Sequence, residues 1–240
     1  MKLIDLSQPV YHDCPNCPAH PRVQVEMLAT HESDGWLCEK FTMSNHTGSH
    51  VDAPLHRLAG APSLDDIPLE TWVGPAYIAD LRDSAPDLAI GAALLQARLP
   101  QDLKDRIVLL ATGWGDKRER CDEWCYHSPF LSPDGARFLV EQGVRGVGID
   151  HYSIGGSRDP DNSETHSILL GAGVWIVEEL RFPVEAFALP QPVQFWALPI
   201  NLQGHTGAFC RPVIVRHEAP PQDAMTAAFE PWIMPPAPGF

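Results

Sequence analysis

Basic residues are scarce in this chain. Seventeen Lys and Arg stand against 31 Asp and Glu, a formal net charge of -14. No run of Lys or Arg offers a general surface to nucleic acid or to an anionic membrane, both of which need basic patches. Long apolar runs are missing too, since none approaches the roughly 20 residues that cross a bilayer. Met1 to Val10 alternates apolar and polar residues instead of pairing a basic n-region with an apolar h-region, so a cytoplasmic location is the expectation. Six cysteines in 240 residues, at scattered positions, are too few for a disulfide scaffold, and reduced thiols are expected. Internal repeats and low-complexity tracts are absent. The composition, 44% hydrophobic and 20% charged, is that of a folded globular chain long enough to bury a substantial core.

Strand signals dominate what is there. LIDLSQPV, VQVEMLAT, LCEKFTMS, AYIADL, RIVLLAT, GVGID, QFWALPI and PVIVRHE are rich in β-branched or aromatic residues and bounded by Pro, Gly, Asn or Asp. Helical patterns are fewer: Gly91 to Leu99, Pro133 to Gln142, and a short turn around Leu64 to Trp72. The second has Ser132 as cap, Pro133 in the first turn and Gly143 as stop. Together with its flanking strands it predicts an α/β unit from Arg106 to Asp150, with ligands near the carboxyl ends of the strands, at Thr112 to Trp114 and Asp150 to Ser153. One domain over residues 1–217 is expected. Residues 218–240, with many prolines plus Phe229, Trp232 and Ile233, read as an ordered arm packed on the domain or on a partner subunit.

Three of the eleven histidines fall in HTGSHVDAPLH, residues 46–56. In an extended chain His46, His50, Asp52 and His56 would share one face, with Thr47, Ser49, Val51, Ala53 and Leu55 on the other. A helix is disfavoured by Gly48, Val51, Asp52 and Pro54. Two imidazoles and a carboxylate are a ligand set for borderline divalent metals, zinc first, with manganese, iron or cobalt open. Three protein ligands leave a coordination position free, as catalytic sites require. Gly48 would let the backbone bring His46 and His50 round one ion, and Pro54 would fix the exit.

Cys14-Pro15-Asn16-Cys17 has CxxC spacing, and Cys121 with Cys125 forms a second pair. A structural zinc site or a redox couple is one reading; thiols packed as small apolar groups is the other. His20, Trp36, Trp114, His127 and His151 are candidate pocket-lining residues.

HTGSHVDAPLH is similar to the HxGTHxDxPxH signature of the cyclase-like family of metal-dependent hydrolases, which includes bacterial kynurenine formamidases and isatin hydrolases; Ser49 stands where Thr is usual. The resemblance continues in order through DLSQPV, LLATGW, LSPDGARFLVEQGVRGVGIDHYS, HSILLGAGVWIVEEL and GHTGAFCRP, over about residues 3 to 215. It implies an α/β domain of the swivelling β/β/α cyclase-like kind, with a β-rich core and flanking helices, assembled as a homodimer or larger oligomer. It also implies a site for one or two divalent ions, zinc or manganese, held by His46, His50, Asp52, His166 and Glu178, the last preferred to Glu179 for its spacing from His166. His56 would be the acid/base residue. The N-terminal CPNCPAHP departs from the aromatic residue and PGD-like turn of the formamidases, so Cys17, Ala19 and His20 mark a difference bearing on substrate.

The implied activity is hydrolysis of a C–N amide bond in a small molecule, linear like an N-formyl aniline or cyclic like a lactam. A metal ion brings the pKa of water from about 15.7 towards 7, and an imidazole is suited to move the proton to the leaving nitrogen. A non-catalytic small-molecule or metal-binding protein that keeps the fold is the rival reading, and a structural zinc protein using the cysteines is a third.

Overall fold

A computed structural model describes residues 1–216. The expected arm, 218–240, and the end of the PVIVRHE strand lie outside the described residues. Strands are numbered along the chain: β1 Lys2–Asp5, β2 Gln24–Ala29, β3 Cys38–Thr42, β4 His50–Asp52, β5 Val73–Asp80, β6 Ala89–Ile90, β7 Ile107–Ala111, β8 Phe130–Leu131, β9 Gly146–Ile149, β10 Trp175–Glu178, β11 Val193–Trp196, β12 Gly207–Phe209 and β13 Val213–Arg216. The helices are α1 His31–Asp34, α2 Ala92–Arg98, α3 Asp122–Tyr126, α4 Pro133–Glu141, α5 Asp161–Gly171 and α6 Val184–Phe187.

Nine strands form one mixed sheet in the order β1-β13-β11-β5-β7-β9-β10-β4-β12. Its centre, β5 to β10, is parallel, and its flanks are antiparallel. The central strands are near-continuous apolar runs because both of their faces are covered. In β7, Ile107, Leu109 and Ala111 pack into one core with Val51, Trp72, Trp175, Val177 and Phe195. Val108 and Leu110 point the other way, into a second core with Leu95 of α2, Leu139 of α4 and Leu169 of α5. The period of two along a strand thus divides one sequence run between two cores. The fold is the expected mixed α/β domain.

The unit from Arg106 to Asp150 is present as expected: β7 and β9 are adjacent and parallel, with α4 between them in sequence. Ser132 caps α4, its side chain accepting from Gly135 N–H, with Pro133 in the first turn. The LIDLSQPV strand is shorter than expected, ending at Asp5, because the chain then crosses the sheet end: Leu6 N–H donates to Pro212 O and Gln8 N–H to Ser49 Oγ. Among the described residues β2 and β3 pair only with each other and form a two-stranded sheet apart from the main one, with Met27, Leu28, Trp36, Leu37 and Phe41 exposed.

Candidate metal centre

The motif at 46–56 is not one extended strand, which corrects the expectation of a shared face by simple alternation. Only His50–Asp52 is strand; Gly48 sits at φ 65°, and Pro54–His56 is a turn of 3₁₀ helix. His50 and Asp52 do share a face, with Val51 in the core behind them. His46 reaches them because the chain doubles back at Gly48, a left-handed conformation that glycine adopts freely. Gly207 then lets His46 lie against the backbone of β12, since a Cβ there would fall 2.7 Å from the His46 ring and 2.3 Å from Val51 O.

The rest of the cluster comes from β10 and α5. The antiparallel register sets Glu178 directly across from His50, so the two side chains lie on the same face. Glu178 Oε2 is 3.3 Å from His50 Nε2 and its Oε1 is 3.3 Å from His166 Nε2. Asp52 lies between: Oδ1 is 3.6 Å from His50 Nε2 and Oδ2 is 3.8 Å from His166 Nε2. Glu179, the neighbour of Glu178, turns away to pair with Arg118.

Backbone groups fix the direction in which these ligating atoms point. His50 Nδ1–H donates to Gly48 O at 2.7 Å and His166 Nδ1–H to Asn162 O at 2.8 Å. In the neutral form of both rings the lone pair is therefore left on Nε2, aimed at Glu178 and Asp52. Ile154 N–H donates to Glu178 Oε1 at 2.7 Å. His46 contacts Asp52 Oδ1 through Nδ1 and Thr206 Oγ1 through Nε2, each at 2.8 Å. With Nε2–H on Thr206, the Nδ1 lone pair and the carboxylate converge on one point, an arrangement that a cation completes.

The electrostatics agree with a cation site. Burial opposes charge on His50, but its hydrogen bond to Glu178 and the charges of Asp52 and Glu178 win and raise it to about 9. Burial likewise opposes charge on Asp52, and the surrounding imidazoles outweigh it and hold the carboxyl low. Asp52 Oδ2 is buried and makes no hydrogen bond among the described residues, an open valence where such groups are ordinarily paired. Three imidazoles and two carboxylates converging on such an atom fit a divalent ion, with one subset in His50, Asp52 and Glu178 and another in His46, Asp52 and His56.

His56 stands at the mouth of the cavity, its ring centroid 4.2 Å from that of His46 and 5.8 Å from that of His166. Desolvation pulls it below the ordinary imidazole value; Asp52 opposes this, and the neighbouring imidazoles add to it. The cavity, about 380 Å³, is lined by His46, His50, His166 and Glu178 of the cluster. Its walls are Cys17 to His20, Tyr126 with Tyr152, and Asn162 with Ser163, and Arg57 is at the edge.

Of the candidate lining residues, His20 alone is in this cavity. Trp36 is 57% exposed on the separate hairpin and Trp114 is packed in an aromatic cluster with Trp124 and Tyr152. His127 pairs with Asp87 at the surface, and His151 is buried, bonded to Ser128 Oγ and Trp124 O. Of the two strand ends expected to face a ligand, Thr112 and Asp150 bond each other, whereas Tyr152 and Ser153, after β9, do line the cavity; the clustered imidazoles and carboxylates themselves come from β4, β10, α5 and the turn before β4. The cysteine reading is also corrected: among the described residues no cluster of metal-ligating groups contains a cysteine, and all six are unpaired. Arg57, Asn45 and Thr206 were not read from the sequence. Position next to His56 points to Arg57, and Thr206 lies in GHTGAFCRP, whereas Asn45, which donates to Thr206 Oγ1 and Gly207 O, carries no local signal.

The chain is similar along nearly all of its described length to a kynurenine formamidase and to solved hydrolases. It is 32% identical over 219 residues to a kynurenine formamidase of Salinibacter ruber, covering 89% of this chain and 97% of that one. It superposes on isatin hydrolase A of Labrenzia aggregata with a TM-score of 0.76 at 25% identity, covering 89% and 93% of the two chains. On the structure of a potential metal-dependent hydrolase with cyclase activity the TM-score is 0.73 at 30% identity, covering 91% and 99%. The family model described as "Putative cyclase" matches residues 4–155, a span that takes in His46 through His56. That match over more than half of the chain, together with the formamidase relative aligned along nearly its whole length, makes the chain a member of the cyclase family.

Proposed function

We propose that the protein hydrolyses the C–N bond of a small N-formyl amide or cyclic amide, using divalent metal held by His46, His50, Asp52, His166 and Glu178, with His56 as the acid/base residue. It is a metal-dependent amide hydrolase, and its curated relatives are kynurenine formamidases. The observation that carries the reading is the pair of imidazole Nε2 atoms, each 3.3 Å from Glu178, beside the buried and unpartnered Asp52 Oδ2, with both imidazoles and Glu178 lining a cavity.

When bound, a divalent ion supplies Lewis acidity to a carbonyl oxygen and makes water a nucleophile at neutral pH. The chain's part is to hold and to move protons. Carbonyls of Gly48 and Asn162 keep His50 and His166 in the Nδ1–H tautomer, with Nε2 free to ligate, and Ile154 N–H holds one oxygen of Glu178. The His56 imidazole is within reach of both the cluster and the cavity, and its lowered pKa keeps it neutral, ready to accept a proton and return it to the leaving nitrogen. Tyr126 and Tyr152 give the cavity a flat apolar side suited to an aryl ring.

Zinc is the proposed metal, with manganese next, because the donors are imidazole and carboxylate without thiolate. A homodimer is part of the same reading; the apolar exposure of the β2–β3 hairpin supports it, since a two-stranded hairpin is marginal alone. Cytoplasmic residence is supported by the six unpaired cysteines. Metal analysis of the purified protein, followed by a screen of formanilides, isatins and cyclic imides, tests the proposal; bound metal with no turnover of any of them would favour a binding protein.

A further inference from the structure

Arg118 makes more of the site's framework than its distance from the reaction suggests. Its side chain is 6% exposed and pairs at 2.8 Å with Glu179, 1% exposed, the residue after Glu178. The other nitrogens of the guanidinium hold the N-terminal segment: Nη1 donates to Pro9 O at 2.9 Å, and Nη2 donates to Pro15 O at 2.6 Å and contacts Cys14 Sγ at 3.8 Å. Arg120 adds a donation to Cys14 O at 3.1 Å. Immediately beyond this root, Cys17 to His20 form one wall of the cavity. That wall is a closed turn, with His20 N–H donating to Cys17 O and Asn16 Nδ2 to Pro21 O. These bonds tie the turn to itself, and the bonds of Arg118 and Arg120 tie its root to the domain.

Glu179 is equally embedded. It has a left-handed backbone, φ 52°; its N–H donates to His151 O and its carbonyl accepts from Ser49 Oγ. Ser49 precedes His50, so the residue that receives Arg118 is joined on one side to Glu178 and on the other to the turn bearing His46 and His50. A buried ion pair is a poor way to gain stability, because apolar residues of the same volume do as well or better. What a planar five-donor fork does that apolar residues cannot is fix several acceptors from distant segments at set angles.

We infer that Arg118 is a positioning residue: through Glu179 it clamps the Cys14–His20 wall to the end of β10, setting the distance between the substrate-facing wall and the ligand cluster. Lysine at this position retains the charge and can reach Glu179, but a single ammonium cannot also span the Pro9 and Pro15 carbonyls. The chemistry is left intact while the substrate is held less well, and loss of register on the ångström scale is costly to rate.

The test compares wild type, Arg118→Lys and Glu179→Gln by hydrogen–deuterium exchange and by kinetics, with metal content measured in each. Exchange in residues 9–21 is expected to accelerate by about tenfold or more in Arg118→Lys, with 46–56 and 107–111 unchanged. Glu179→Gln, which keeps the shape, is expected to move the same segment by less, and it carries the test if the lysine variant does not fold. Unchanged exchange in 9–21, or a uniform rise across the domain, overturns the clamp. The kinetic arm rests on the hydrolase reading: with formanilide or isatin, kcat/KM of Arg118→Lys should fall roughly tenfold to a hundredfold, mainly through KM, at full metal content. A lowered Tm with unchanged KM would make Arg118 merely structural. A wild type that turns over neither substrate would count against the hydrolase reading, and the exchange result would still decide the clamp.

Discussion

Removing the metal should destabilise this fold by a calculable amount. The cluster buries two carboxylates, Asp52 at 1% and Glu178 at 4% exposure, facing one another across His50. An ion that binds the folded chain and not the unfolded one adds RT ln(1 + [L]/Kd), about 2.7 kcal/mol at a hundred times Kd. At roughly 2–4 °C per kcal/mol for a domain of this size, stripping the ion with a chelator should lower Tm by about 5–10 °C. Adding back zinc or manganese should restore it in proportion to the logarithm of free metal. Thermal scans over a metal series, monitored by near-UV circular dichroism, give both quantities. Glu178→Gln, which removes the charge shared by His50 and His166, should lose most of this response. A Tm indifferent to chelator and to added metal would refute the assignment of the cluster as a metal centre.

Thr206→Val removes the partner of His46 Nε2 and should weaken metal binding about 10- to 100-fold, measured by competition with a chromophoric chelator. Gly48→Ala forces a side chain onto φ 65° and to 2.6 Å from Val10 Cγ2; about 1–3 kcal/mol of stability should be lost, visible in urea unfolding, together with metal affinity. His151 is pushed down to about 4 by burial from an ordinary value near 6.5, so it contributes stability that is complete above pH 6.5 and is lost as pH falls towards 4. The stability difference between wild type and His151→Gln should therefore shrink by about 3 kcal/mol across that window; a difference independent of pH would contradict the burial argument.

Local pattern was enough where local physics decides the outcome. RIVLLAT and the Ser132 cap gave β7 and α4 because a doubly covered strand is an unbroken apolar run and a capped helix announces its own start. α5 was not read: DNSETHSILLG is polar in its first half and apolar in its second, without a 3.6-residue stripe, and its burial is set by packing between sheet and cavity. In the motif the residue types were legible and the path was not. His46, His50 and Asp52 do converge, but through a left-handed glycine and a strand of three residues, which spacing alone does not distinguish from a longer strand. The neighbourhood of Glu178 is a matter of register between β4 and β10, more than a hundred residues apart in sequence. Arg118 carries no signal, and Thr206 none beyond its place in GHTGAFCRP, because what they touch is created by the fold.

Turnover with controlled metal content tests the central claim most directly. Formate release from an N-formyl aniline, or ring opening of isatin followed by absorbance, would be measured on the metal-loaded protein, on the chelated protein, and on His56→Ala with its metal content confirmed. Turnover is expected to disappear on chelation, to return with zinc or manganese, and to fall by about 10²–10⁴ in His56→Ala at full metal occupancy. Hydrolysis that survives chelation, or an unimpaired His56→Ala enzyme, would contradict the claim.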